Sequence, residues 1–246
     1  MHIINYLTTI AVGAGAVQSL PAALEELKVT RPLLVSDHGV KAAGLLDVPG
    51  AEVLQSAPAY LEGQTNPTEA AVKEALEVYR QEGCDGIVAF GGGSPIDLAK
   101  GVALLATHPG ELEHYAAIYG GIPRITSAVA PLVAIPTTAG TGSEVGRAAL
   151  ITLEDGRKLG FISQYLIPRR TICDPELTLG LPPFLTAATG LDALTHCIET
   201  YLSPRYNPPA EAIAMDGFGR LWEALPKADA DGSDLAARTE VMMGAL

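Results

Sequence analysis

The stretch Ile87-Val88-Ala89-Phe90-Gly91-Gly92-Gly93-Ser94-Pro95-Ile96-Asp97 constrains this chain more than any other. Its first four residues are apolar and bounded by glycine, which reads as a buried strand. Three glycines then free the backbone for a sharp turn and for close approach of a ligand. Ser94 is a good N-cap, Pro95 suits the first helical position and Asp97 favours the first turn, so a helix is expected to open here. A strand, a glycine turn and a helix N-terminus together make an anion site, with N–H groups aimed at a phosphate. A tight strand-to-helix turn that holds no ligand has the same local signature.

The flanking sequence extends this rhythm. Leu20 to Leu27 has helical spacing, Pro32 to Val35 reads as a strand, and Ala51 to Leu54 as a short one. Asn66-Pro67-Thr68 opens a helix with Ala71, Val72, Ala75, Leu76 and Tyr79 on one face. A further helix carries Leu98, Ala99, Val102, Ala103 and Leu105. Alternating strands and helices predict a parallel sheet of βα units. Asp37, at the carboxyl end of an early strand, is placed either to hydrogen-bond a ribose diol or to cap the next helix. His38 beside it reads as a surface histidine.

Pro131 to Ile135 is a strand that runs into Pro136-Thr137-Thr138-Ala139-Gly140-Thr141-Gly142-Ser143-Glu144. That small, hydroxylated segment suits either a second phosphate or ribose contact or an exposed turn. Ala148 to Leu153 and Leu159 to Ser163 read as strands around Glu154-Asp155-Gly156-Arg157, with Lys158 at the start of the second. Thr171-Ile172-Cys173 ends a further strand. After Pro182-Pro183 only helical periodicity remains, over Phe184–Leu202, Pro209–Leu225 and Leu235–Leu246. The expected division is therefore an α/β domain over 1–182 and a helical domain over 183–246.

Composition narrows the function classes. A net charge of -12 argues against a nucleic-acid surface, which needs clustered Lys and Arg. Cys84, Cys173 and Cys197 are scattered and odd in number, so they give no disulfide framework. Met1 to Tyr6 lacks the basic region and apolar run of a leader peptide. No apolar run reaches the about 18–20 residues that span a bilayer. A cytoplasmic enzyme with no membrane or nucleic-acid partner is expected.

In the first helix beyond Pro182, Asp192 and His196 stand at i and i+4 and project from one face. Such a pair can share a divalent metal, or it can simply be a helical ion pair. Two ligands alone do not make a stable site.

Taken in order, five motifs resemble the iron-containing (group III) alcohol dehydrogenases. They are Asn66-Pro67-Thr68, Gly91 to Asp97, Pro136 to Glu144, Asp174-Pro175 and Gly190-Leu191-Asp192-Ala193-Leu194-Thr195-His196-Cys197-Ile198-Glu199. The resemblance runs over essentially the whole chain. It implies a dehydroquinate synthase-like architecture, with a nicotinamide cofactor in a cleft between an α/β and a helical domain. On the matched positions, Asp37 would bind the adenosine ribose and favour NAD over NADP. Gly92, Gly93 and Ser94 would hold the pyrophosphate. Thr137, Thr138 and Lys158 would line the rest of the cofactor site, with Asn66 and Asp97 nearby. Asp192 and His196 would be the first two ligands of a catalytic Fe2+ (Zn2+ in some relatives). That ion would stabilise an alkoxide while hydride passes between a small alcohol or aldehyde and NAD(H). A homodimer is also implied.

The family pattern supplies two further histidine ligands downstream of Asp192 and His196. His2, His38, His108 and His114 sit in no matching motif, so half of the metal site and part of the helical domain are expected to be missing from these 246 residues. A fragment, a short form that binds dinucleotide without metal chemistry, and a site completed by another subunit would each account for this. Ile213, Phe218, Leu221 and Trp222 are then expected to lack apolar partners. Glycerol dehydrogenase and maleylacetate reductase are the rival activities within the wider fold group.

Overall fold

The computed structural model describes residues 2–5, 8–204 and 206–246. Met1 and Tyr6, the ends of the segment read as lacking leader features, lie outside the described residues. Contacts divide the chain into two compact units. One comprises residues 1–136 and 143–173, the other 137–142 and 174–246.

The first unit is built on a sheet that is parallel apart from one edge. Its strands are β1 (His2–Asn5), β2 (Thr9–Val12), β3 (Pro32–Val35), β4 (Ala59–Tyr60), β5 (Gly86–Gly91), β6 (Leu132–Pro136) and β9 (Arg170–Cys173). They lie side by side in the order β1-β2-β9-β6-β5-β3-β4, with only β1–β2 antiparallel. A separate antiparallel pair, β7 (Ala148–Thr152) and β8 (Lys158–Ile162), closes on the expected turn. The helices of this unit are α1 (Leu20–Leu27), α2 (His38–Ala42), α3 (Glu69–Gln81) and α4 (Gly93–Leu105). The expected parallel-sheet α/β architecture is present.

The strands next to the glycine loop form because they are buried on both faces. Every residue of β3, β5 and β6 is buried, which is why they read as continuous apolar runs. Phe90 is fully buried, and a burial of that kind contributes about 1.5–3 kcal/mol. Helix α3 turns Ala71, Val72, Ala75 and Leu76 inward, and Thr68 caps it by accepting from the Ala71 N–H at 3.2 Å. Helix α4 is buried on nearly all sides from Pro95 to Leu105, with Asp97 only partly covered.

Several local expectations are corrected. Helix α4 starts two residues earlier than Ser94 suggested: Gly92 is its N-cap and Gly93 its first residue, so Pro95 stands third. Proline fits there because the first helical N–H groups have no intrahelical acceptor. Ala51–Leu54 is no strand; Glu52–Leu54 forms one 3-10 turn, in which the Leu54 N–H donates back to the Ala51 carbonyl at 2.9 Å instead of to another strand. The opening residues supply β1 and β2.

The second unit holds α5 (Pro183–Tyr201), α6 (Pro208–Ala230) and α7 (Leu235–Ala245). Helix α6 passes through Pro226 to Ala230 instead of ending at Leu225. Buried Leu225 and Ala228 flank the proline, so packing on this face offsets the lost hydrogen bond. Glycines set the close helix crossings. A Cβ on Gly190 of α5 would stand 2.3 Å from Leu225 Cδ1, and one on Gly217 of α6 would stand 2.9 Å from the Gly244 carbonyl oxygen of α7. Arg238 of α7 is buried and donates from Nη1 to Thr186 Oγ1 (2.7 Å) and from Nε to the Gly232 carbonyl (3.1 Å). Of the four residues expected to lack partners, Leu221 is fully buried and Phe218 stacks on Trp222. Ile213 and Trp222 are 46% and 67% exposed. Leu221 is covered because it falls on the same α6 face as Gly217, Ala224 and Ala228.

Candidate functional site: a glycine loop at the sheet's switch point

From β3 the chain moves outward to β4, then returns past β3 to build β5 and, beyond it, β6. The connections therefore diverge between β3 and β5, and in open parallel sheets the crevice beyond such a pair is where ligands bind. Register fixes which residues arrive there. Val35 pairs with Ala89 and Gly91 with Pro136, so Ser36-Asp37 and Gly91 to Ser94 leave adjacent strands at their carboxyl ends. Ser36 is buried and donates to the Phe90 carbonyl at 2.6 Å, locking the two ends together.

Asp37 uses one oxygen structurally: Oδ1 accepts from the Val40 N–H at 2.8 Å and caps α2. Its Oδ2 faces the glycine loop, 3.5 Å from where a Cβ on Gly91 would stand. That Cβ would also stand 2.9 Å from Pro95 Cγ, so Gly91 leaves room for both neighbours. The two readings of Asp37 are compatible, since capping occupies only one oxygen. His38 pairs with Glu62 at 2.9 Å on the surface.

No side chain caps α4 at Gly92. Pro95 has no N–H, so the free donors of the first turn belong to Gly93 and Ser94. Ser94 Oγ does not cap the helix; it accepts from the Asn66 N–H at 3.3 Å. Asn66 adopts φ 60°, a left-handed conformation that asparagine tolerates better than most residues. Its Oδ1 accepts from Lys158 Nζ at 2.7 Å. Asn66, Ser94 and Lys158, drawn from three distant segments, thus meet beside the glycine loop.

Asp97 stands one turn deeper in α4 than a first-turn residue and is used internally. It accepts from Ser143 Oγ, and its Oδ2 accepts from the Leu150 N–H at 2.9 Å. Beside it lies Lys100, which is fully buried, with Nζ 3.7 Å from Asp97 Oδ1. Burial pushes the Lys100 amine down to about 8 against the pull of Asp97 and Glu144. Burial likewise pushes the Glu144 carboxyl up to about 7, opposed by Lys100. Lys100 and Glu144 were not among the residues singled out from sequence. The available signal was a single cation inside an otherwise apolar helix.

In the second unit, Thr137 is buried and Thr138 half-buried. Their loop is small for a packing reason: a Cβ on Gly140 would stand 2.4 Å from the Thr189 carbonyl oxygen of α5. Asp192 and His196 share one face of α5, with His196 Nε2 3.8 Å from Asp192 Oδ1 and both side chains about half exposed. Among the described residues no group of three or more His, Cys, Asp or Glu is placed to hold a metal. The donors present therefore fit at most part of a coordination sphere. Also among the described residues, no helix is long and apolar enough to cross a membrane.

Comparison with known proteins bears on this geometry. The family profile described as iron-containing alcohol dehydrogenase matches residues 8–175, and the profile of that family's C-terminal part matches 186–246. The chain is 55% identical to a 4-hydroxybutyrate dehydrogenase of Cupriavidus necator, over 100% of this chain and 65% of that protein. A crystal structure of 1,3-propanediol oxidoreductase superimposes with a TM-score of 0.90 at 37% identity, covering 99% of this chain and 63% of that one. Sulfoacetaldehyde reductase from Bifidobacterium kashiwanohense, solved in complex with NAD+, superimposes with a TM-score of 0.89 at 26% identity, covering 100% and 65%. The chain thus spans somewhat under two-thirds of the length of these relatives.

Proposed function

The chain belongs to the iron-containing alcohol dehydrogenase family, and from that premise we propose that it binds NAD(H) at the β3/β5 switch point and serves hydride transfer between a small alcohol and its aldehyde. The reaction takes a hydride from the carbinol carbon to nicotinamide C4 and releases the hydroxyl proton, giving aldehyde and NADH. The observation that carries this reading is the convergence of Asp37 and Gly91–Ser94 on adjacent strand ends.

In this proposal the N–H groups of Gly93 and Ser94 hold the pyrophosphate at the start of α4, helped by the helix dipole. Gly92 lets the phosphates approach, and Asp37 Oδ2 accepts from the adenosine ribose. Lys158, held by Asn66, and Thr137 and Thr138 contact the rest of the cofactor, while Asp97 supports the loop from inside α4. The 55% identity to a 4-hydroxybutyrate dehydrogenase makes short ω-hydroxy acids the first substrates to test. Asp192 and His196 are proposed as two donors to a divalent ion. Two donors alone do not hold such an ion tightly.

A second reading, dinucleotide binding without turnover, is favoured by that two-donor set. Titration of NADH fluorescence against the protein tests both. Saturable quenching with 4-hydroxybutyrate-dependent NAD+ reduction supports the dehydrogenase, and quenching without turnover supports the second reading. Absence of saturable binding refutes both.

A further inference from the structure

The β7–β8 hairpin carries Lys158, yet it lies outside the main sheet. Something else must fix its position. Three tethers run along β7: the Ala148 carbonyl, the Leu150 N–H and the Thr152 N–H. The last of these donates to the Pro67 carbonyl at 2.9 Å, at the mouth of α3 and next to Asn66. The other two tethers belong to α4, the helix that opens with the glycine loop. Asp97 takes the Leu150 N–H, and Lys100 Nζ donates to the Ala148 carbonyl at 2.6 Å, the Gly146 carbonyl at 3.0 Å and Ser143 Oγ at 3.0 Å.

Donor count matches acceptor count. An ammonium has three N–H groups and no lone pair, and Lys100 faces three acceptors. Ser143 then passes a hydrogen bond on to Asp97, so one chain of contacts links the cation, the hydroxyl and the carboxylate that holds Leu150. Helix and strand are also in close contact here, since a Cβ on Gly101 would stand 2.8 Å from Ile151 Cδ1. A fully buried lysine would be costly without such pairing. These hydrogen bonds are what the lysine adds.

We propose that Lys100 is a positioning residue for the dinucleotide site: its ammonium clamps the base of the β7–β8 hairpin to α4 and thereby holds Lys158 beside Asn66 and the glycine loop. This rests on the dinucleotide reading above. Lys100 touches no ligand itself and acts through Lys158.

The test is a double-mutant cycle on NADH affinity with the full chain, paired with hydrogen exchange. Lys158→Ala is expected to weaken NADH binding about tenfold, the size of one lost charge-assisted contact. Lys100→Met should weaken it by a similar factor and raise exchange at the β7 and β8 amides, with β3 and β5 still protected. The double variant should bind no more than about tenfold worse than the parent, because both changes remove one contact. An additive loss of about a hundredfold overturns the proposal, as does Lys100→Met with unaltered hairpin protection. If Lys100→Met does not fold, Ser143→Ala breaks the same chain of contacts more gently and enters the cycle under the same criteria. Should the parent bind no NADH, the dinucleotide reading fails; the exchange experiment then decides alone whether Lys100 clamps the hairpin.

Discussion

Replacing Asp37 with asparagine separates its two structural relations. Oδ1 caps α2 through Val40, and asparagine caps about as well as aspartate, so stability should change by less than about 0.5 kcal/mol. The charge carried by the carboxylate is lost. A 2′-phosphate on the adenosine ribose would set a second negative charge against it; for a separation of about 4 Å, two unit charges repel by about 1 kcal/mol in water and about 4 kcal/mol at a protein-surface dielectric of about 20. Asp37 is half-buried and faces the glycine loop, so a value near 2 kcal/mol is appropriate. That corresponds to about a thirtyfold change in relative affinity. Fluorescence quenching by NADH and NADPH gives both Kd values, and their ratio should shift toward NADPH by that factor in Asp37→Asn. Asp37→Gly should shift it too, with an additional loss of α2 stability. A ratio unchanged within twofold, with an unchanged melting temperature, would remove Asp37 from the cofactor site.

The buried Glu144 carboxyl titrates near pH 7 in the folded chain against 4.5 for the free side chain. Because its folded value is raised, its contribution to stability is complete below pH 4.5 and is lost as pH rises through about 7, a slope worth about 3 kcal/mol. Urea unfolding of Glu144→Gln between these pH values should show that slope flattened; an unchanged slope would refute the assignment. In the helical unit, Gly140→Ala drives a methyl toward the Thr189 backbone oxygen, which cannot rotate away. The expected loss is about 1–3 kcal/mol by thermal melting, and a neutral result would show that the loop is not packed as described.

Much of the frame was legible from local pattern. Buried strands such as β5 are continuous apolar runs, and the 3.6-residue spacing of Ala71, Val72, Ala75 and Leu76 marks α3. The turn at Glu154–Arg157 and the Thr68 cap follow from side-chain chemistry over three or four residues. Where local preference was misleading, a distant partner intervened. Ser94 is a good cap by type, but its hydroxyl is taken by the Asn66 N–H, 28 positions away. Leu221 belongs to an expected uncovered face, yet the crossing of α6 and α7 at Gly217 and Gly244 buries it.

By itself, then, the sequence determined the units of this protein: the strand, glycine turn and helix, the capped helix after Asn66-Pro67-Thr68, and the i, i+4 pair on α5. These are set by backbone sterics, hydrophobic periodicity and short-range hydrogen bonds, all of which act within a few residues. Only the tertiary structure decided that β3 and β5 are neighbours, that Lys158 reaches Asn66 across 92 positions, and that Lys100 is spent on a hairpin rather than exposed. Strand order and the burial of charge depend on how complete surfaces fit together, and no local stretch carries that information.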